Sequence, residues 1–414
     1  MTAVRPRWLR VLDLVIVAGS AIYVAARFSE KGGFVNVGFY LPLSAFVVVV
    51  VATRGRALVD LFASRLGMAT IAFALGTLYA VAITPDRGEA WRSFLPAHGR
   101  MFLTALFIGY AASRASYARL LLWAFIGGAA ASIGRQVATH VEVWQLSGGW
   151  IPSYHTPEFL RIRPLGEAHA LYLPALVAII AVVPARPWRL GLAAIVVIEA
   201  LLLVPTGFRG AWLAVVAASV LVAALAGKWR ALAALAVVGF LAIGAALTTL
   251  PDAGRIVAER FQRLDTGRAD TWGPAIDMVR ERPLAGHGYG QELYHRTYAA
   301  EALARDWVLK ESGGAHNMYL STAFASGIFG LAALVWLYVE MARAFIAAFR
   351  RSAGWEPKAL ALAGFAALFG PYVVHGAFED KLWPVLGIPL GLALGFDAMR
   401  RVMGRTDAFP EKPN

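Results

Sequence analysis

The chain has 414 residues, 59% of them hydrophobic and 16% charged, and its 39 Lys and Arg against 26 Asp and Glu give a net charge of +13. Soluble globular proteins carry about a quarter charged residues, so this balance excludes a soluble enzyme and a disordered chain and describes an integral membrane protein. With no cysteine, disulfides, thiolate metal sites and cysteine nucleophiles are excluded. The basic excess belongs beside membrane spans rather than to nucleic-acid binding.

A spanning helix needs about 20 mainly apolar residues. Twelve such stretches occur, giving an all-α polytopic membrane protein with about 12 transmembrane helices and a single integral membrane domain over 1–414. The first six are expected at 9–26, 37–53, 67–84, 101–113, 120–133 and 168–183. The second six are expected at 190–205, 211–227, 231–250, 320–341, 360–374 and 382–399. The first span follows basic residues without a small-residue cleavage site, so it reads as a retained signal anchor. With both termini cytoplasmic, the short inner segments hold about twice as many Lys and Arg as the short outer ones. All eight histidines then fall on or beside the outer face. Longer, more polar outer loops collect histidine by default, and outer-face chemistry is the other explanation.

Two outer loops are long. The second-largest is expected at 136–167, with Trp144, Trp150, Tyr154 and several prolines suited to the interface. The largest, 251–315, far exceeds an ordinary connection. Its spacing of Trp272, Ile276 and Val279, and of Leu293, Tyr294, Ala300, Leu303 and Trp307 from Gln291 to Lys310, predicts short amphipathic helices lying over a cavity as a lid.

Arg209 stands in the short turn Pro205-Thr206-Gly207-Phe208-Arg209-Gly210-Ala211-Trp212. Its guanidinium either snorkels to lipid phosphate or grips a phosphate or diphosphate by two parallel hydrogen bonds. Arg161 and Arg163, ahead of the sixth span, and Arg268, opening an amphipathic helix whose free N–H groups favour anions, are further candidates for the same anion. Each alone reads equally as a solvated surface arginine. His316, in Gly313-Gly314-Ala315-His316-Asn317-Met318-Tyr319, either caps the tenth span or accepts a proton from a sugar hydroxyl.

Gly286-His287-Gly288-Tyr289-Gly290 lacks the Lys-Ser/Thr of a P-loop and the strand–helix setting of a dinucleotide site, so no nucleotide is expected. Asp86, Glu89, Glu379 and Asp380 are too scattered in sequence for a metal site, and no metal or cofactor is expected. Glu199 lies inside the seventh span and requires a partner that the sequence does not name.

The order of these motifs from about Arg161 to Gly330 resembles the O-antigen ligase and polysaccharide polymerase superfamily of bacterial inner-membrane glycosyltransferases. The resemblance rests on Phe208-Arg209-Gly210-Ala211-Trp212, on Arg268 with Trp272, on Pro283 with Gly286, Gly288 and Gly290, and on His316-Asn317 with Gly327 and Gly330. It implies a GT-C-like architecture with a periplasmic active site, where a saccharide leaves undecaprenyl diphosphate for an acceptor hydroxyl by inverting transfer. It implies Arg161, Arg163, Arg209 and Arg268 around the donor diphosphate and His316 at the acceptor hydroxyl, with Arg209 and His316 catalytic.

Within the superfamily the expected member is the ligase that joins O-antigen to lipid A-core, because the chain ends in a basic cytoplasmic tail rather than an added periplasmic region. The polymerase and the protein O-oligosaccharyltransferase are the alternatives. A transporter or lipid-linked saccharide flippase is the alternative of another class, although its functional charges would be expected at mid-membrane. From the missing metal motif, transfer should survive a chelator. Loss with EDTA and recovery with a divalent ion would overturn that expectation.

Overall fold

The structure is a computed structural model that describes residues 6–27, 32–148, 156–230, 268–305, 307–380 and 383–406, with scattered residues between 233 and 248. Among the described residues it is all-helical. The first half contains α1 (Arg7–Ala26), α2 (Gly32–Ala52), α3 (Arg56–Phe62), α4 (Arg65–Ile83), α5 (Arg87–Phe94), α6 (Arg100–Ala112), α7 (Ala115–Ser147), α8 (Pro157–Ile162) and α9 (Leu165–Val182). The second half contains α10 (Arg186–Leu203), α11 (Arg209–Ala226), α12 (Arg268–Glu281), α13 (Gln291–Ala304), α14 (Met318–Arg351), α15 (Trp355–Leu368) and α16 (Trp383–Thr406).

Nine helices among the described residues are long and apolar enough to cross a membrane. Of the other three expected spans, the fourth is α6, only 13 residues long but prolonged by a π turn at Leu95–Gly99 and by α5. The twelfth is α16, whose last turns carry Asp397, Arg400 and Arg401. The ninth lies largely outside the described residues, as do His155, Trp150, Tyr154, the long loop up to Gly267 and the end of the basic tail.

Apolar side chains point both ways, as lipid requires. Val47, Val51, Leu75 and Phe329 are exposed around the bundle, while α9 and α15 are buried on nearly every face and pack against each other. With lipid tails as apolar as leucine, helix association relies on close backbone approach. Gly387, Gly391 and Gly395 supply it, bringing α16 onto α6 so tightly that a Cβ at 387 would lie 2.4 Å from the Met101 carbonyl oxygen.

Charges inside the bundle are paired. Asp13 of α1 takes Arg114 at 2.6 Å and the Tyr110 hydroxyl at 2.7 Å. Glu199 of α10 meets His169 of α9, both fully buried. That pairing supplies the partner Glu199 requires.

The expected loop at 136–167 is corrected at its start, because α7 runs on to Ser147 and ends at Gly148, whose φ is 69°. Polar residues that suggest an exit bond along the helix instead: Gln136 Nε2 donates to Ser132 Oγ at 2.9 Å, and His140 Nδ1 bonds the Gln136 carbonyl at 2.8 Å. The second amphipathic stretch also ends earlier than expected. α13 stops at Ala304, Tyr294, Tyr298 and Ala302 form its buried face, and Leu303 is 80% exposed.

α14 breaks at Ser326 and Gly327, where Gly327 has φ 66° and ψ −166°. The Pro283–Gly290 strap between α12 and α13 docks into the break. His287 N–H donates to the Phe324 carbonyl at 2.7 Å, Gly288 N–H to Ala325 at 3.1 Å, and Ile328 N–H to Pro283 at 2.8 Å. The strap thus bonds backbone groups that the break frees, which a bilayer cannot solvate. A Cβ at Gly327 would lie 2.1 Å from the Leu284 carbonyl oxygen, and the positive φ adds strain. Gly327→Ala should therefore cost about 2–3 kcal/mol, read as a lower unfolding temperature in detergent. An unchanged midpoint would show that the strap does not hold the break.

Candidate functional site

His316 does not begin α14. It sits just before the helix with φ 44°, a left-handed conformation uncommon outside glycine and recurrent at functional sites. The following Asn317 is the cap, its Oδ1 accepting from the N–H groups of Tyr319 and Leu320 at 2.9 and 3.0 Å. Arg268 Nη1, from the start of α12, donates to the His316 carbonyl at 3.2 Å. His316 is thus held through its backbone from two sides.

Its ring is held by residues that follow α15. Glu379 is 5% exposed, and its Oε1 lies 3.4 Å from His316 Nδ1 while also accepting from Asp380 N–H at 3.2 Å. Asp380 Oδ2 accepts from Ser321 Oγ at 2.8 Å. A carboxylate only accepts, so Nδ1 carries the proton in this pair.

The segment before Glu379 gathers the arginines. The Arg268 guanidinium lies 5.9 Å from the Phe378 ring, and Trp272 packs on the same ring at 6.1 Å. Gly210 comes so close that a Cβ there would lie 2.9 Å from both His375 Nδ1 and Phe378 Cβ. That contact sets the first turn of α11, where Arg209 is the first residue, against the same segment. Phe208 meets His375 edge-on at 4.7 Å, and the Arg163 guanidinium lies 5.3 Å from the Phe208 ring. Arg163, Arg209, Arg268 and His316 therefore stand on elements that converge on 375–379. Arg161 does not join them: it pairs with Glu142 of α7 at 2.8 Å, both about half exposed.

His316 also lines a cavity of about 300 Å³, bounded by α4, the π turn before α6, the strap, the start of α13 and Asp380. His98 and Tyr289 form part of its wall, sharing a 2.7 Å hydrogen bond. Burial pushes the Tyr289 phenol up, so it stays neutral.

Sequence reasoning missed Glu379 and Asp380 as members of this site. Their adjacency just past a span was the available signal. The other two carboxylates of that group act structurally, Asp86 capping α5 through Glu89 N–H at 3.0 Å and Glu89 pairing with Arg296 at 2.7 Å. Among the described residues, no group of three His, Asp or Glu could hold a metal.

Residues 193–335, which include Arg209, Arg268 and His316, match the family model described as O-Antigen ligase. An O-antigen ligase of Salmonella typhimurium is 34% identical over 194 residues, covering 45% of this chain and 48% of that protein. The chain thus spans about half the length of the curated relative it matches. Residues 193–335 carry the sequence pattern of the O-antigen ligase family, as the motif order implies.

Proposed function

We propose that this protein transfers an undecaprenyl-diphosphate-linked O-antigen saccharide to a sugar hydroxyl of lipid A-core, at the periplasmic face of the bacterial inner membrane. The observation that carries the reading is the His316–Glu379 pair beside Arg268, inside and next to the segment that matches the ligase family. The acceptor hydroxyl oxygen attacks the anomeric carbon as the bond from that carbon to the diphosphate oxygen breaks, and the diphosphate leaves with the electron pair. The hydroxyl proton passes to His316 Nε2, and Glu379 stabilises the resulting imidazolium. Arg209, Arg268 and Arg163 face the growing negative charge of the leaving group. Fixed guanidinium groups in a water-poor site act there without reorganisation and without a metal. Direct displacement inverts the anomeric centre. Arg161, paired with Glu142, takes an outer role at most.

The test combines purified protein, undecaprenyl-diphosphate-linked O-antigen and lipid A-core, and resolves the products on a gel. A conjugate supports the ligase reading. Longer lipid-linked chains alone would make the protein a polymerase, and translocation in vesicles without covalent product would make it a transporter. Arg209→Ala should reduce transfer by about 10²-fold or more with expression intact, and normal activity would remove it from the site. His316→Ala and Glu379→Gln should each slow turnover by about 10²-fold while undecaprenyl diphosphate binding is retained. A pure binding loss in either variant would reject the base assignment.

A further inference from the structure

The cavity beside His316 differs in chemistry from the arginine cluster. Among the described residues no Lys or Arg lines it, and its charged group is the carboxylate Asp380. A diphosphate would meet repulsion there and no compensating cation. Its volume, about 300 Å³, stands at the lower end of the range for small-molecule pockets, roughly 300–1,000 Å³. That suits a sugar ring or two and not a polyprenyl chain.

The lining suits the same ligand. Trp383 and Tyr294 contribute aromatic side chains to the wall, and Ser93, Gln291 and Asp380 offer hydrogen-bonding groups. The Tyr294 hydroxyl is buried with no hydrogen-bond partner among the described residues. Orphaned buried hydroxyls are costly, so a ligand hydroxyl would relieve it. His316 lines this space as well. Its Nδ1 is turned to Glu379, while Nε2 lies beside Gly313, where a Cβ would approach it to 3.5 Å. Gly313 and His316 both line the cavity.

We infer that this cavity is the subsite for a neutral pyranose ring of the acceptor, with its attacking hydroxyl at His316 Nε2 and the donor diphosphate on the opposite, arginine-bearing side. This assignment rests on the glycosyl-transfer reading above. It makes Gln291 and Ser93 specificity residues, since they contact the acceptor sugar away from the reacting atoms.

The test uses the full-length protein in detergent and two probes, delipidated core oligosaccharide and undecaprenyl diphosphate. Saturation-transfer NMR should show the oligosaccharide bound to the wild type through its terminal ring protons. Ala97→Phe, which fills the cavity from the π turn, should weaken oligosaccharide binding about tenfold or more with undecaprenyl diphosphate affinity within about twofold. Should Ala97→Phe fold poorly, Gln291→Ala, at an exposed position, should raise the acceptor KM about three- to tenfold with the donor KM unchanged.

Loss of undecaprenyl diphosphate binding with oligosaccharide binding intact would overturn the assignment, as would a wild type that does not bind the oligosaccharide. Oligosaccharide binding without any glycosidic product would sink the transferase reading and leave the subsite standing. Active transfer with acceptor KM unmoved in both variants would do the reverse.

Discussion

The broken helix α14 is the feature on which the remaining architecture depends. A helix in lipid must satisfy its own backbone groups, and the break at Ser326 and Gly327 prevents it from doing so. The strap from Pro283 to Gly290 takes over those bonds. In the same stretch Tyr289 N–H bonds Thr84 Oγ1 at 2.7 Å at the end of α4, and the Tyr289 hydroxyl bonds His98. One short glycine-rich segment thereby ties α4, the turn before α6, α13 and α14 together and forms a wall of the cavity. The glycines that have no meaning as a nucleotide loop have this one as a backbone plug.

At the same end of the bundle, the residues after α15 organise the charges. His375 and Phe378 receive the close approach of Gly210, Phe378 lies under Arg268 and Trp272, and Glu379 orients His316. Three residues within five positions, His375, Phe378 and Glu379, thus join helices that are far apart in the chain. The result is a division of electrostatics: Arg163, Arg209 and Arg268 stand on elements that converge on residues 375–379, while among the described residues no Lys or Arg lines the cavity beside His316. Such a division fits a reaction between one strongly anionic and one neutral substrate, since each is repelled or unrewarded in the place of the other.

The buried pair His169–Glu199 shows the limits of reading single residues. A carboxylate in a span announces that it needs a partner, because an unpaired charge there is expensive. Which partner it takes depends on how α9 and α10 rotate against each other, and that is decided by packing along both helices. The length of α7 was hidden for a related reason: Gln136 and His140 look like the edge of a membrane span until the helix supplies hydrogen bonds to Gln136 Nε2 and His140 Nδ1.

What the sequence determined by itself follows from local physical chemistry. Composition and 20-residue apolar runs establish an all-helical membrane protein, amphipathic spacing places helices in the late loop, and the ordered short motifs around Arg209, Arg268 and His316 resemble the O-antigen ligase pattern that residues 193–335 match. Long-range geometry was settled only in three dimensions. Glu379 lies 63 residues beyond His316 and meets it because the chain returns through α14 and α15, whereas Arg161, two residues from Arg163, faces Glu142 and leaves the cluster. Neighbours in sequence share a helix face only at the right spacing, and partners across helices share none of the local pattern, so which charges meet is a property of the packed bundle.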